Sequence, residues 1–310
     1  MHILITGGCG FVGVNLIKKL NKKFKIVVID NESLGKISNL EGQNVKFYKI
    51  DICDHKSVEK VFLNHKIDYV IHLAAHTRVL ESIKDPVKTF NNNVVGTFNL
   101  LSISSKFKVK KFINASTGGA IMGEKKPPIS EKMHPSPLSI YGGSKFASEM
   151  FCEIFFRSYD MKFINLRFSN LYGPNSFHKD SVVSLFIKQI LKEKKIIVYG
   201  NGKQCRDFLF IEYLVKFFEK CIFSNITGTY QLGSGKPTSL NNLIKILKKV
   251  FVKKKNKKYG DFKVVYKAFR SGEIVKTWCN IEKAKKDLDF NPSTNLETGV
   301  SKTVNYFLKK

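Results

Sequence analysis

Short apolar runs and amphipathic stretches alternate along the first half of the chain. The runs at Ile3–Thr6, Ile26–Ile29, Val45–Ile50, Tyr69–Leu73, Phe112–Ala115 and Phe163–Arg167 read as strands. Between them, stretches such as Phe11–Lys22 and Val87–Phe107 carry apolar residues at helical spacing. Strands alternating with helices predict an α/β fold whose parallel sheet is covered on both faces. Past Phe168 the pattern loosens into shorter elements separated by Gly-Pro, Gly-Asn-Gly and Gly-Ser-Gly turns. We therefore expect a first domain over 1–168 and a smaller C-terminal lobe over 169–310, with some of its strands returning to the first sheet. No internal repeat is seen.

The first strand runs directly into TGGCGFVG, where Gly7, Gly10 and Gly13 open a helix. Gly7 suits a tight turn, Gly10 lets the backbone approach a pyrophosphate, and Gly13 allows close helix packing. The helix start, with Phe11 and Val12, offers free N–H groups and a partial positive charge to phosphates. A plain strand-to-helix turn needs only one such glycine. Asp30 closes the next strand at a distance that suits ribose hydroxyls, and its carboxylate repels a 2′-phosphate, which favours NAD over NADP. The expected fold is thus a Rossmann-type doubly wound sheet with a smaller substrate-binding lobe.

DNESLG (Asp30–Gly35), DICD, HLAA, NNVVGT, YGGSK, LRFSNLYGP and RSGE follow one another along the chain. In that order they resemble the NAD-dependent epimerase/dehydratase family, the extended short-chain dehydrogenases, over essentially the whole sequence. The resemblance implies NAD contacts from Asn31, Ser33, Gly35, Asp51, Ile52, Leu73, Ala74, Ala75 and Asn93. It implies an acid/base pair in Tyr141 and Lys145, four residues apart and so on one helix face. A phenol with a pKa of roughly 10 is a poor base near neutrality, so Lys145 and oxidised nicotinamide are expected to stabilise its phenolate. The third catalytic hydroxyl is implied at Thr117 or, beside it, Ser116. Met122 stands where relatives often carry a tyrosine.

The residues after Thr117 bear on the reaction. Sugar-nucleotide 4,6-dehydratases carry Asp-Glu there and related decarboxylases a nearby Glu, whereas this chain has Gly118 and Gly119. One base and a hydride acceptor suffice for a nucleotide-sugar 4-epimerase acting on UDP-glucose/UDP-galactose or their N-acetyl counterparts. Other dehydratases, decarboxylases or ketoreductases of the family are the alternative, and a non-catalytic nucleotide-sensing or RNA-associated protein is an alternative of another class. The resemblance further implies sugar-diphosphate contacts from Asn170, Arg206 and Arg270, a nucleobase contact at Tyr199, and backbone contacts at Val182. Thr277, seven residues after Arg270, replaces a bulkier residue beside the sugar C2 and leaves room for an N-acetyl group. A homodimer through a helix bundle is implied as well.

A formal net charge of +28 invites a nucleic-acid reading. Only five of the 53 basic residues are arginines, the residue best suited to phosphate and base forks, and the lysines are scattered apart from KKKNKK at 253–258. We read a solvated lysine surface and expect no nucleic-acid partner. The six cysteines lie far apart without a CxxC pair, which predicts reduced thiols and no zinc site. His72 and His76 are separated by strand-like residues, so their spacing does not place both rings on one helix face, and no metal is expected. No apolar run reaches the length of a membrane span or of a signal peptide's core, so a cytoplasmic protein is expected.

Overall fold

A computed structural model describes residues 1–253, 257–269 and 274–309. The first half builds strands β1 (His2–Thr6), β2 (Lys25–Asp30), β3 (Val45–Lys49), β4 (Ile67–His72), β5 (Lys111–Thr117) and β6 (Phe163–Phe168). Its helices are α1 (Phe11–Leu20), α2 (His55–Asn64), α3 (Val79–Lys84), α4 (Pro86–Phe90), α5 (Gly96–Lys106), α6 (Gly118–Met122) and α7 (Ile140–Tyr159). The second half adds β7 (Asn170–Tyr172), β8 (Lys195–Tyr199), β9 (Cys205–Arg206), β10 (Phe208–Phe210), β11 (Gly228–Leu232), β12 (Thr238–Ser239) and β13 (Lys263–Lys267). With them come α8 (Val182–Glu193), α9 (Ile211–Phe223), α10 (Leu240–Lys253), α11 (Lys257–Gly260), α12 (Glu282–Leu288) and α13 (Leu296–Phe307).

Seven strands form one parallel sheet in the order β11-β6-β5-β4-β1-β2-β3. Side chains alternate between its faces because a strand repeats every two residues. Ile3, Ile5, Ile26, Val28 and Ile71 meet α1 and α9 on one side. Leu4, Val27, Ile29 and Val70 meet α2, α5 and α7 on the other. Each of these strands is apolar on both faces, which is why they read as nearly continuous hydrophobic runs. A third core, from Val183, Phe186 and Ile187 of α8, Leu243 and Leu247 of α10, and Val300 and Val304 of α13, holds the C-terminal lobe.

The stretch Val87–Phe107, expected as one helix, is divided. Asn91–Val95 forms a π-helical turn between α4 and α5. Such a turn accommodates one extra residue where a side chain is needed inward. Here that side chain is Asn93, fully buried and hydrogen-bonded to His76 and Ser144.

The sheet reverses its winding between β1 and β4, since the chain proceeds from β1 to β2 on one side and from β4 to β5 on the other. At such a switch point the helices and loops diverge at the carboxyl ends of the strands and leave a crevice. No described helix is long and apolar enough to cross a membrane.

Candidate functional site

That crevice holds a cleft of about 790 Å³, lined by the loops after β1, β2, β4 and β5, the start of α7, and the segment 168–185 of the C-terminal lobe. Gly7 begins its floor with φ +69°, in the left-handed region, and a Cβ there would lie 2.6 Å from the Ala74 backbone nitrogen. A Cβ on Gly13 would lie 2.5 Å from the Gly8 carbonyl oxygen, so α1 packs on its own loop only without a side chain. Gly10 caps α1 with no side-chain hydrogen bond, and the helix carries no acid in its first turn. The unpaired N–H groups of Phe11, Val12 and Gly13 are left for an anion.

Asp30 ends β2 with both oxygens already in use, one accepting the Cys9 N–H (2.9 Å) and the other the Glu32 N–H (2.8 Å). Burial pushes its carboxyl up and these N–H donors pull it down, with burial the larger effect. Each oxygen retains a second lone pair for a ribose hydroxyl. Asn31, Ser33, Gly35, Ile52, Leu73, Ala74 and Ala75 also line the cleft. Asp51 does not: its carboxylate accepts from Asn31 Nδ2 (2.9 Å) and the Cys53 N–H (2.9 Å), and so holds Asn31 from behind. Asn93 is likewise placed away from the cleft, because its oxygen accepts the His76 N–H (2.7 Å) and its amide donates to the His76 carbonyl and Ser144 Oγ. Its neighbour Asn92 faces the cleft instead.

Helix α7 starts at a Ser139 cap whose Oγ accepts the Gly142 N–H (3.1 Å), setting Tyr141 in the first turn and Lys145 one turn on. Thr117, the last residue of β5, faces the Tyr141 hydroxyl and pulls its phenol down. Ser116 points to the opposite face of the strand, where its Oγ donates to Glu149 Oε1 (2.5 Å) in a buried site. Ser116 and Thr117 both line the cleft, but the Ser116 hydroxyl is engaged by Glu149, whereas that of Thr117 is turned to Tyr141. Burial pushes the Tyr141 phenol up to about 12, only partly offset by Thr117. Burial acts on Lys145 as well. Burial pulls its own ammonium down to about 8 against the attraction of Glu149, and it donates to the Ala115 carbonyl (2.8 Å).

Glu149, one turn beyond Lys145, also accepts Arg167 Nε (2.9 Å) and Nη2 (2.6 Å), with both side chains buried. Tyr141, Lys145 and Glu149 recur every four residues, the signal by which this third member is found in the sequence. Thr77, Arg78, His178, Lys179 and Asp180 are further lining residues that no motif marks.

The C-terminal expectations divide. Asn170 lines the cleft, with Phe168 and Ser169. Val182 begins α8 outside the lining, between Ser181 and Leu185, which belong to it. Tyr199, Arg206 and Thr277 also stand outside it. Arg206 donates from Nη1 to the carbonyls of Cys205 (3.0 Å) and Val275 (3.3 Å). Thr277 Oγ1 lies 3.4 Å from where a Cβ on Gly119 would be. Arg270 lies outside the described residues.

His72 is buried between Thr6 Oγ1 (2.7 Å) and Thr97 Oγ1 (2.9 Å), and His76 contacts Thr89 Oγ1 (2.7 Å). Among the described residues no cluster of His, Cys, Asp or Glu is arranged to hold a metal.

Residues 4–303 match the family model described as GDP-mannose 4,6 dehydratase. The chain belongs to the NAD-dependent epimerase/dehydratase family. A putative UDP-glucose 4-epimerase of Methanocaldococcus jannaschii is 33% identical over 309 residues, covering 98% of this chain and 97% of that one. The crystal structure of a UDP-glucose 4-epimerase with UDP-glucose from Thermotoga maritima superposes with TM-score 0.94 at 36% identity, covering 100% and 99% of the two chains. That of a UDP-glucuronic acid 4-epimerase from Bacillus cereus, with UDP-glucuronic acid and NAD, superposes with TM-score 0.89 at 29% identity over 100% and 99%. The cofactor is NAD, and the cradle without Cβ atoms at Gly7 and Gly13, the open α1 terminus and the Asp30 carboxylate fit it.

The Gly7→Ala variant forces φ +69° on a residue that disfavours it and drives a methyl into the Ala74 backbone. It should lower the melting temperature and strip the purified protein of NAD, read as the ratio of absorbance at 260 and 280 nm. Wild-type NAD content in a folded Gly7→Ala protein would refute the role given to this turn.

Proposed function

We propose that this protein is a nucleotide-sugar 4-epimerase acting on UDP-hexoses. The observation that carries the reading is the end of β5, where Thr117 meets Tyr141 and is followed by two glycines instead of acids. A Cβ at Gly118 would lie 2.4 Å from Gln231 Oε1, so this wall is closed to any larger side chain unless Gln231 moves. A dehydratase needs a second acid and base after this threonine, where the chain has Gly118 and Gly119. A 4-epimerase needs only one.

In this reading Tyr141 takes the proton of the sugar O4–H and later returns it, while Thr117 holds the shared hydrogen bond. The chemistry supplied by bound NAD is reversible acceptance of the C4 hydride. The Lys145 ammonium, attracted by Glu149 and donating to the Ala115 carbonyl, is the positive charge that favours the phenolate against burial. Asn170, which lines the cleft, is assigned to the sugar diphosphate; Arg206 and Tyr199 lie outside the cleft lining in this structure. The UDP-sugars named for the similar proteins support this substrate class.

Purified protein incubated with UDP-galactose or UDP-N-acetylgalactosamine should give the 4-epimer without added NADH, resolved by NMR of the products. Tyr141→Phe should lower kcat by roughly 10²–10⁴-fold. A 4-keto-6-deoxy product would identify a dehydratase, and consumption of NAD(P)H a reductase; either sinks the proposal.

Thr277 stands opposite Gly119, and we place it at the sugar C2. Thr277→Tyr should depress turnover of UDP-N-acetyl sugars selectively, whereas equal loss on plain hexoses would refute the gate.

We also propose a homodimer. Phe90, Val95 and Phe98, on α4, the π turn and α5, and Met150, Ile154 and Tyr159 on α7 are exposed apolar side chains along adjoining helices. Phe98 stacks edge-on against Phe151 and Phe155 (centroids 5.3 and 5.6 Å), making a firm aromatic ridge. A second copy offers the same two-helix face, and a two-fold pairing covers both. Sedimentation equilibrium should find a dimer that Phe98→Glu with Ile154→Glu converts to folded monomer; a monomeric wild type ends this proposal.

A further inference from the structure

The loop from β7 to α8 crosses the front of the cleft and is tied down at both sides. Toward α1, Asn175 Nδ2 donates to Asn15 Oδ1 (3.0 Å), Asn15 Nδ2 to the Pro174 carbonyl (3.1 Å), and Lys18 Nζ to Asn175 Oδ1 (3.3 Å). Toward the exit of β4, Arg78 Nη2 pairs with Asp180 (3.0 Å), which also takes Lys188 (2.9 Å). Residues 174–180 thus form a strap from the dinucleotide helix to the loop after β4.

Lys179 stands on this strap between the two anchors and lines the cleft. Its ammonium is 5.1 Å from the centroid of Phe11, the first residue of α1. The other cations of the cleft are engaged, Arg78 with Glu81 and Asp180, and Lys145 with the Ala115 carbonyl. Among the described residues no carboxylate is within ion-pair distance of Lys179. Its amine is pulled down to about 8 by loss of water contact, with no protein charge opposing that loss. A cation in this state gains from any anion brought beside it.

We propose that Lys179 binds the diphosphate of the dinucleotide across the first turn of α1, so that the strap couples the C-terminal lobe to cofactor retention. The inference rests on the NAD-dependent reading of the cleft. A nucleotide-sugar diphosphate has the same chemistry. The anchoring of the strap on α1 through Asn15, Lys18 and Phe11 places Lys179 at the dinucleotide instead.

Titration calorimetry with NAD and, separately, with UDP at low and high salt tests it, circular dichroism having confirmed folding of each variant. Lys179→Met should raise the Kd for NAD roughly tenfold or more, flatten its salt dependence, and leave UDP affinity unchanged. Lys179→Arg should retain most of the NAD affinity. Wild-type NAD affinity in Lys179→Met overturns the inference alone, and loss confined to UDP overturns the assignment to the dinucleotide. A wild type that binds neither ligand overturns the nucleotide-sugar reading together with it.

Discussion

The buried carboxylate of Glu149 joins three elements that must agree if the cleft is to have its chemistry. It sits on α7, accepts the Arg167 fork from β6 and takes the Ser116 hydroxyl from the end of β5. Taking two charges out of water is costly; the Nε and Nη2 bonds to Glu149 offset that cost in part, while Arg167 Nη1 is buried without a partner, and removing one member of a buried pair costs about 3–5 kcal/mol. The pairing also fixes the phase of β5. With Ser116 turned toward Glu149, Thr117 must face the cleft, and the Ala115 carbonyl is left for Lys145. The spacing of Tyr141 and Lys145 on α7 therefore has meaning only because Glu149, on the next turn, holds that helix against the sheet.

The cofactor side rests on a different kind of constraint, the absence of side chains. Gly7 brings the loop before α1 against the exit of β4, and Gly13 brings α1 against that loop, each so closely that no Cβ fits. That packing sets the open N–H groups of α1 beside the crevice created by the switch in strand order. Asp30, held by two backbone N–H groups, closes the far side. Across the front, the strap from 174 to 180 bridges the two lobes through Asn15 at one end and Arg78 at the other. A site built from one sheet is thereby bounded by residues more than 150 positions apart in sequence.

The fold and the order of its motifs were legible because local signals sufficed for them. Period-two and continuous apolar runs mark the strands, and glycines at 7, 10 and 13 mark the turn. What required the structure depends on orientation. Ser116 and Thr117 are neighbours of similar chemistry, and only the phase of β5 separates them. Asp51 and Asn93 sit in motifs whose residues line the cleft, yet their own side chains point inward to Asn31, His76 and Ser144. A π turn interrupts the helix through Asn93 without any glycine or proline inside it to announce it. Lys179 and Asp180 lie in a loop with no periodicity, and their partners on α1 and after β4 are far away in the chain.

In a chain this rich in lysine, charge alone does not identify the cations that matter, and solvation does. Most ion-paired lysines are well exposed, and such pairs contribute little and weaken with salt. Among the described residues, Lys111, Lys145 and Lys179 are pulled below the ordinary lysine range, each chiefly by burial. Lys111 is answered by the carbonyls of Cys221 and Ser224, where it joins the start of β5 to the end of α9. Lys145 is answered by Ala115 and by the field of Glu149. For Lys179 the described residues supply an aromatic face and no anion. The described arginines are held by acids or by backbone carbonyls of the chain itself. The net charge of +28 is thus carried largely by solvated lysines, while the two ammonium groups that burial pulls down beside the cofactor loops, Lys145 and Lys179, both line the cleft.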